Sequence, residues 1–137
     1  LDQVRAIVAA GIPFLGHLGM LPQHVREENG YHLKGKSEAE RLKLLADAQA
    51  LAEAGAFAIV LELVSPRVAQ AITRQVPIPT IGIGAGPDCD GQILVTPDLL
   101  GLQPWYQLKH VKPKLNAAAQ IQAAIAEWKQ DLQRPAG

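Results

Sequence analysis

The stretch Phe57-Ala58-Ile59-Val60-Leu61-Glu62 predicts the central strand of this chain, because five apolar residues run without a break into a carboxylate. A continuous apolar run is typical of a strand buried on both faces, as in a parallel sheet. Gly55 ends a helical pattern just before this run. Ser65-Pro66 follows it as an N-cap with proline at the first helical position, and predicts a helix that reaches about Gln75. The centre of the chain is therefore predicted to fold as helix, strand and helix.

Short apolar runs alternate with helical patterns on both sides of that stretch. A helix is predicted over residues 4–10, with Gly11 as its C-cap, and a final helix over residues 116–132. Three further strands are predicted, at residues 12–16, 79–83 and 92–95. This alternation predicts βαβ units and a parallel sheet.

The helix before the central strand has the clearest start signal. Ser37-Glu38-Ala39-Glu40 is a capping-box pattern, in which serine and glutamate reciprocally satisfy free N–H groups. Behind it, apolar residues recur at the spacing of one helical face: Leu44, Leu45, Ala48, Leu51 and Ala52. The final helix also has one apolar face: Ile121, Ala124, Ile125, Trp128 and Leu132.

Four strand–helix units do not close a barrel, because a complete (β/α)8 barrel needs about 250 residues. The 137 residues of this chain are therefore either a small open α/β sheet or half of a barrel. We find no repeat and no inter-domain linker, which predicts a single, partial domain over residues 1–137. The helical pattern begins at the first residue without an initiator methionine, so we expect a fragment of a longer protein.

The composition excludes several classes of function. The chain has 13 basic and 13 acidic residues, so no broad charged surface for nucleic acid or an anionic membrane is predicted. No apolar run approaches the roughly 20 residues of a membrane span, and no signal peptide opens the chain. The single cysteine, Cys89, fits a reducing compartment, and we expect a cytoplasmic protein.

In parallel α/β folds, active-site groups lie at the carboxyl ends of the strands. Three stretches of this chain occupy that place, residues 16–19, 62–65 and 82–86. We expect these stretches to converge on one mouth.

Glu62 is the strongest catalytic candidate, because it directly follows the apolar run. A carboxylate at a buried strand end is partly desolvated, and such a carboxylate is a competent general base near neutral pH. The pattern alone equally allows a structural role for Glu62, in which it turns to solvent at the start of the loop or pairs with a nearby cation.

His17 is the second candidate, since it follows the first predicted strand and Gly16 and Gly19 let a ligand or backbone come close. It is either a hydrogen-bond donor to a substrate carboxylate or carbonyl oxygen, or a histidine satisfied by a neighbouring backbone group. The other histidines lack metal-ligand spacing, so no zinc site is predicted: His24, His32 and His110.

The third stretch has glycine at alternate positions but fails the dinucleotide-binding fingerprint, since Pro87 stands where the third glycine belongs. It predicts a strand end at which backbone approaches a ligand or the next strand. Nearby aspartates either bind a hard cation or, more commonly, cap helices and turns: Asp88, Asp90 and Asp98. Cys89 has no basic neighbour and is predicted to be structural, while Ser65 fits an N-cap better than a nucleophile.

Taken as an ordered set, these stretches resemble the ketopantoate hydroxymethyltransferase family. Residues 16–23, Gly-His-Leu-Gly-Met-Leu-Pro-Gln, are similar to the family's G-H-L-G-L-T-P-Q segment. Gly30-Tyr31 with Gly35 resembles its glycine–tyrosine loop, and residues 59–62 resemble its strand that ends in the catalytic glutamate.

The resemblance continues through the second half of the chain. Residues 81–86, followed by residues 90–95 and Asp98, are similar to the family's I-G-I-G-A-G…D-G-Q-I-L-V…D. It covers roughly residues 4–102 and extends more loosely to the last helix. The order and separations of the motifs also match, which makes the set specific although each motif alone is weak.

The resemblance implies the C-terminal half of a (β/α)8 barrel of the phosphoenolpyruvate/pyruvate superfamily, with about four parallel strands. It implies transfer of a hydroxymethyl group from 5,10-methylenetetrahydrofolate to 3-methyl-2-oxobutanoate, giving ketopantoate in pantothenate synthesis. It also implies a Mg²⁺ ion on the oxo acid and a large homo-oligomer. Glu62 takes the place of the family's proton acceptor, and His17 that of a histidine near the bound oxo acid.

Some family features are missing or altered. The family's metal-binding carboxylates and substrate-binding lysine lie on strands that would precede Leu1, so no magnesium ligand is expected here. Leu21 replaces a usual threonine, and Asn29 a frequent glycine. Two alternatives remain: a lyase or mutase of the same superfamily, or a non-catalytic barrel fragment. We expect the segment alone to be inactive and to associate through exposed strand edges.

Overall fold

The computed structural model describes residues 1–105, 108 and 111–133. The chain divides into two compact units, Leu1–Ile93 and Leu94–Gly137. The first unit has the following order of elements: α1 (Asp2–Ala9), β1 (Leu15–Gly19), α2 (Glu38–Glu53), β2 (Ala58–Glu62), α3 (Pro66–Gln75), β3 (Thr80–Ile83) and β4 (Gly91–Gln92). A one-turn 3-10 helix, Pro22–His24, follows β1.

The strands form one parallel sheet with the spatial order β1-β2-β3-β4. At its carboxyl edge, Gly19 is paired with Glu62, and Glu62 with Ile83. The predicted α/β class and parallel sheet are therefore confirmed. Four parallel strands in chain order, with helices between the first three, are the arrangement of half of a (β/α)8 barrel.

Local signals in the sequence set the helix boundaries. The capping box at the start of α2 is complete: Ser37 Oγ accepts from the Glu40 N–H, and the Glu40 carboxylate accepts from the Ser37 N–H. At the end of α1, the N–H groups of Gly11 and Ile12 donate to Val8 and Ile7, which is a Schellman closure. The predicted end of α1 before Gly11 and the predicted start of α2 after Ser37 are confirmed, whereas α1 begins at Asp2, two residues before its predicted start.

The two faces of the sheet differ in their surroundings. Helices α2 and α3 cover one face, where the core contains Leu44, Ala48, Ile59, Leu61, Val68 and Ile72. The strand register puts the following side chains on the opposite face: Leu15, His17, Val60, Glu62, Ile81 and Ile83. That opposite face is only partly covered, since Leu15 is 43% exposed.

The first strand differs from its predicted position. It was expected at residues 12–16, but β1 runs from Leu15 to Gly19. Pro13 has no N–H group for a ladder, and the strand is instead defined by the pairing of residues 15–19 with residues 58–62. His17 therefore lies within the strand and not after it.

The fourth strand is shorter than predicted. It contains only Gly91 and Gln92, and Val95 instead forms the N-cap of a helix, α4 (Thr96–Leu100), that the sequence analysis missed. The apolar run at residues 93–95 suggested a strand, but these side chains are 40–48% exposed. Pro97, in the first turn, is the signal that favoured a helix start.

The second unit contains α4 and α5 (Ala117–Asp131). The Asn116 side chain caps α5 by accepting from the Ala119 N–H at 3.2 Å, which confirms the predicted final helix. Its apolar face is largely exposed, at 47–66% for Ile121, Ile125, Trp128 and Leu132. No helix in the described parts of the chain is long and apolar enough to cross a membrane.

Candidate active site

The three stretches at the strand ends lie side by side, as expected. The strands β1, β2 and β3 are neighbours in one parallel sheet, so their last residues lie at the same edge: Gly19, Glu62 and Ile83. This edge is the place at which parallel α/β folds assemble their active sites. The predicted convergence of these stretches on one mouth is confirmed.

Glu62 is the last residue of β2, and its side chain is only 17% exposed. Its Oε2 atom lies 3.2 Å from Nε2 of His17. Glu62 therefore does not turn out to solvent. A largely buried carboxylate with an imidazole at ion-pair distance is an arrangement suited to accepting and passing on a proton.

The imidazole of His17 is 35% exposed, so one part of the ring remains accessible while Nε2 faces the carboxylate. The alternative was that a backbone group forms a hydrogen bond with the His17 ring. At Nε2 the neighbouring group is instead the Glu62 carboxylate. His17 has Val60 opposite it in the register, whereas Gly19 is opposite Glu62. Because Gly19 has no side chain, the imidazole is the β1 side chain that approaches the carboxylate.

The loop over residues 21–36, which we call the Lys34 loop, is fastened to the strand end beside Glu62. The Lys34 N–H donates to the Leu63 carbonyl at 2.7 Å, and the Lys34 carbonyl accepts from the Ser65 N–H at 2.8 Å. Lys34 and Val64 form a parallel bridge. Ser65 is the N-cap residue of α3, but its hydroxyl donates to the Gly35 carbonyl at 3.1 Å and accepts no hydrogen bond from the N–H groups of the helix.

Lys34 was not singled out in the sequence. Its side chain is 24% exposed and pairs with Glu28 of the same loop. The only sequence signal was its place beside Gly35, in the segment that resembles the family's glycine–tyrosine loop. Asn29 adopts a φ of +56°, a left-handed conformation that asparagine tolerates, so its replacement of glycine preserves the turn.

A cavity of about 310 Å³ lies beside the site, within the first unit. It is mostly apolar, and it brings residues of β1, the Lys34 loop and α2 together: His17, Leu21, Lys34, Lys43, Leu44 and Asp47. Lys43 and Asp47 pair with each other at 2.6 Å on α2. His17 therefore contacts both the cavity and the Glu62 carboxylate.

The glycine-rich third stretch forms the start of the connection from β3 to β4. Residues 84–90 join these parallel strands without a helix. This connection is short, because connections between parallel strands usually need a dozen or more residues. The segment passes close to the sheet, since a Cβ atom on Gly82 would lie 3.1 Å from Cys89 Sγ. A Cβ atom on Gly86 would lie 2.7 Å from Pro66, the first residue of α3. Close backbone packing therefore accounts for these glycines.

The end of this connection is tied to the start of β3. The Asp90 carboxylate accepts from the Thr80 N–H at 2.8 Å and from its hydroxyl at 3.0 Å. Thr80 is fully buried, and its Oγ1 also lies 2.7 Å from that of Thr73. Burial raises the pKa of the neighbouring Cys89 thiol, partly offset by hydrogen bonds with Thr73 and Thr80. Asp90 thus closes a turn, and Cys89 packs as a structural residue.

No group of three or more histidine, cysteine, aspartate or glutamate side chains in residues 1–105, 108 and 111–133 is arranged to hold a metal ion. Asp90 is engaged by Thr80, and His24 pairs with Glu27 at 2.6 Å. His110 lies outside the described residues. The described residues therefore do not fit a magnesium site.

A parallel α/β sheet with a carboxylate and an imidazole together at its carboxyl edge defines an enzyme-type site. The particular family follows from comparison with known proteins. The family described as "Ketopantoate hydroxymethyltransferase" matches residues 1–136, and the chain belongs to this family.

Individual relatives agree with the family match. A 3-methyl-2-oxobutanoate hydroxymethyltransferase of Moorella thermoacetica is 52% identical over 131 residues, covering 96% of this chain and 49% of the relative. Proteins of the same name from Cenarchaeum symbiosum and Ignicoccus hospitalis are 44% and 58% identical, covering 96% and 76% of this chain and 50% and 40% of the relatives. The chain thus spans about half the length of the curated relatives it matches.

Proposed function

We propose that the full-length protein transfers a hydroxymethyl group from 5,10-methylenetetrahydrofolate to 3-methyl-2-oxobutanoate, giving 2-dehydropantoate (ketopantoate) for pantothenate synthesis. The observation that carries this proposal is the contact of 3.2 Å between Glu62 and His17 at the carboxyl edge of the sheet. Family membership and the names of the relatives support the same reaction. We further propose that residues 1–137 form half of one (β/α)8 barrel domain.

Glu62 acts as the proton acceptor in this proposal. It removes the proton from C3 of the oxo acid, and the electron pair of the broken C–H bond moves into the enolate. C3 of the enolate then forms a bond to the one-carbon unit of the folate. The two folate C–N bonds to that carbon break, and the oxygen of one water forms the new hydroxyl group on it. The two folate nitrogens take up the proton removed from C3 and one proton of the water, and tetrahydrofolate leaves. A base that is 17% exposed and held beside an imidazole is suited to the first of these steps.

His17 has two tasks in this proposal. Its Nε2 side holds the Glu62 carboxylate in position, and its accessible ring edge donates a hydrogen bond to a carboxylate or carbonyl oxygen of the oxo acid. His17 lines the cavity of about 310 Å³ but Glu62 does not, so the second task is supported by the 35% of the His17 side chain that is exposed.

The metal belongs to another part of the protein. A Mg²⁺ ion bound to the oxo acid would polarise its carbonyl group and stabilise the enolate. The described residues of this chain offer no ligand set for it. We therefore propose that its ligands lie in parts of the full-length protein outside residues 1–137.

The remaining features of the proposal concern the whole protein. We propose a cytoplasmic enzyme that forms a homo-oligomer and binds the small oxo acid and folate rather than nucleic acid or membranes. Equal numbers of acidic and basic residues, 13 of each, support this choice of partners.

The proposal is tested by assaying the full-length protein with 3-methyl-2-oxobutanoate, 5,10-methylenetetrahydrofolate and MgCl₂, and measuring ketopantoate by mass spectrometry. We expect product from the wild type, and at least about 100-fold less from Glu62→Gln. Glu53→Gln is the matched control, because Glu53 is exposed at the end of α2 and accepts a hydrogen bond from the Gln49 side chain at 2.8 Å. A wild-type protein that forms no ketopantoate contradicts the proposed reaction.

A further inference from the structure

The residue directly after Glu62 has an unusual backbone conformation. Leu63 has a φ of +48°, in the left-handed region that a bulky side chain rarely adopts. Among the described residues, the only other non-glycine residue with positive φ is Asn29, for which this conformation is common. Such a residue persists only when its surroundings hold it, and residues of this kind cluster at functional sites.

Three neighbouring segments hold the Leu63 backbone. Its N–H donates to the Ile83 carbonyl of β3 at 2.9 Å, and its carbonyl accepts from the Lys34 N–H at 2.7 Å. On the other side, the Glu62 carbonyl accepts from the Met20 N–H at 2.8 Å. Both peptide groups that flank Leu63 are therefore fixed by hydrogen bonds to Met20, which directly follows β1, to β3 and to the Lys34 loop.

The left-handed residue changes which side chains face the core. In an extended strand, residues two apart point to the same face, so Val64 would follow Glu62 onto the face opposite the helices. Instead, Val64 is 0% exposed and belongs to the core cluster with Leu61 and Val68. The turn at Leu63 thus lets Val64 enter the core while Glu62 stays beside His17.

We propose that Leu63 is a positioning residue, whose left-handed backbone keeps the Glu62 carboxylate directed at His17. The catalytic part of this inference rests on the proposed function. The structural part, the placement of Glu62 against His17, stands independently of any activity. The inference concerns the backbone of Leu63 and not the chemistry of its side chain.

Substitutions at position 63 separate backbone conformation from side-chain packing. Asparagine and glycine adopt the left-handed region readily, whereas valine, although apolar like leucine, is strongly disfavoured there. In the full-length protein, we expect Leu63→Asn and Leu63→Gly to keep kcat within about threefold of the wild type. We expect Leu63→Val to lower kcat on the order of 100-fold with little change in KM, as for other small misplacements of a catalytic group.

A second measurement is independent of activity. The ¹⁵N NMR signals of the His17 ring, assigned with a His17→Asn protein, report its contact with Glu62. We expect Leu63→Asn to retain the wild-type signals, and Leu63→Val to shift them towards those of the Glu62→Gln protein. If Leu63→Val does not fold, Leu63→Ala takes its place, and its signals and kcat are expected to depart further from wild type than those of Leu63→Asn.

The opposite ranking of the Leu63 variants, in kcat and in their His17 signals, would overturn the inference. If the apolar variants keep kcat and the His17 signals while Leu63→Asn loses them, side-chain packing and not backbone conformation is what matters. Unchanged His17 signals in all variants would also overturn it. A wild-type protein without transferase activity contradicts the proposed function alone. The role of Leu63 is still tested in that case, by comparing the His17 signals of Leu63→Asn and Leu63→Val with those of the wild type.

Discussion

The Nε2 atom of His17 lies 3.2 Å from Oε2 of Glu62, although the two residues belong to different strands and are not directly opposite each other. Gly19, which is opposite Glu62, has no side chain, so the imidazole of His17 is the β1 side chain that approaches the carboxylate. The proposed first step requires a base held in place beside the substrate, and this contact positions the Glu62 carboxylate for it.

Removing the imidazole should slow the reaction without abolishing binding. An interaction with a charged group contributes roughly 1.5–3 kcal/mol, so we expect kcat of His17→Leu to fall about 10- to 100-fold. His17→Gln retains a donor and should lie between this variant and the wild type. The control is His24→Leu, which removes an exposed histidine that also pairs with a glutamate, at 2.6 Å. Equal kcat values for His17→Leu and His24→Leu would contradict a role for the His17 contact.

Gly19 should not tolerate a side chain. A Cβ atom there would lie 2.1 Å from the Glu62 carbonyl oxygen, and the residue has a φ of +103°. The matched control is Gly11→Ala, because Gly11 has a φ of +76° but open space around its Cβ position. We expect Gly11→Ala to cost about 1–2 kcal/mol of unfolding free energy, and Gly19→Ala distinctly more. Denaturant unfolding of the full-length protein measures both, and equal costs would show that the steric contact is unimportant.

The tie between Thr80 and Asp90 should stabilise the connection from β3 to β4. Thr80→Val keeps the shape but removes the hydroxyl that donates to Asp90 at 3.0 Å and contacts Thr73 at 2.7 Å. We expect a loss of about 1–3 kcal/mol, because Thr80 is fully buried and its hydroxyl donates to a charged carboxylate. Thr96→Val, at an exposed position, is the control and should change stability by no more than about 0.5 kcal/mol. A neutral Thr80→Val would mean that this tie does not stabilise the fold.

The thiol of Cys89 should react slowly. Burial raises the pKa of this thiol above its ordinary value, and the nearby carboxylates of Asp90 and Asp88 act in the same direction. At pH 8 a smaller fraction is therefore thiolate, the reactive form, than in an exposed cysteine. We expect reaction with Ellman's reagent to be slower in the native protein than in guanidinium chloride. Equal rates in both states would contradict a buried, structural Cys89.

The parts of the fold that local sequence specifies were predictable. The capping box at Ser37 and the proline after Ser65 mark helix starts through contacts within a few residues, and both helices begin where expected. The apolar run before Glu62 identified the central strand for the same reason. By contrast, β1 begins at Leu15 rather than residue 12, because its boundary depends on pairing with β2, which lies far along the chain.

The site was predictable only in outline. Sequence placed His17 and Glu62 at the same edge of a sheet, but their contact depends on register, and a shift of one residue would send either side chain to the other face. The left-handed conformation of Leu63 had no sequence signal, because leucine rarely adopts it. Contacts with Met20, β3 and the Lys34 loop impose it, and these contacts form only in the folded chain.

The most direct test of the central claim, that Glu62 is the proton acceptor, is deuterium exchange at C3 of 3-methyl-2-oxobutanoate. The full-length protein is incubated with the oxo acid and MgCl₂ in D₂O, without folate, and loss of the C3 proton is followed by ¹H NMR. We expect exchange with the wild type and with Glu53→Gln, and exchange slower by on the order of 100-fold or more with Glu62→Gln. Exchange at the wild-type rate in the Glu62→Gln protein, with the oxo acid still bound, would show that another group removes the proton.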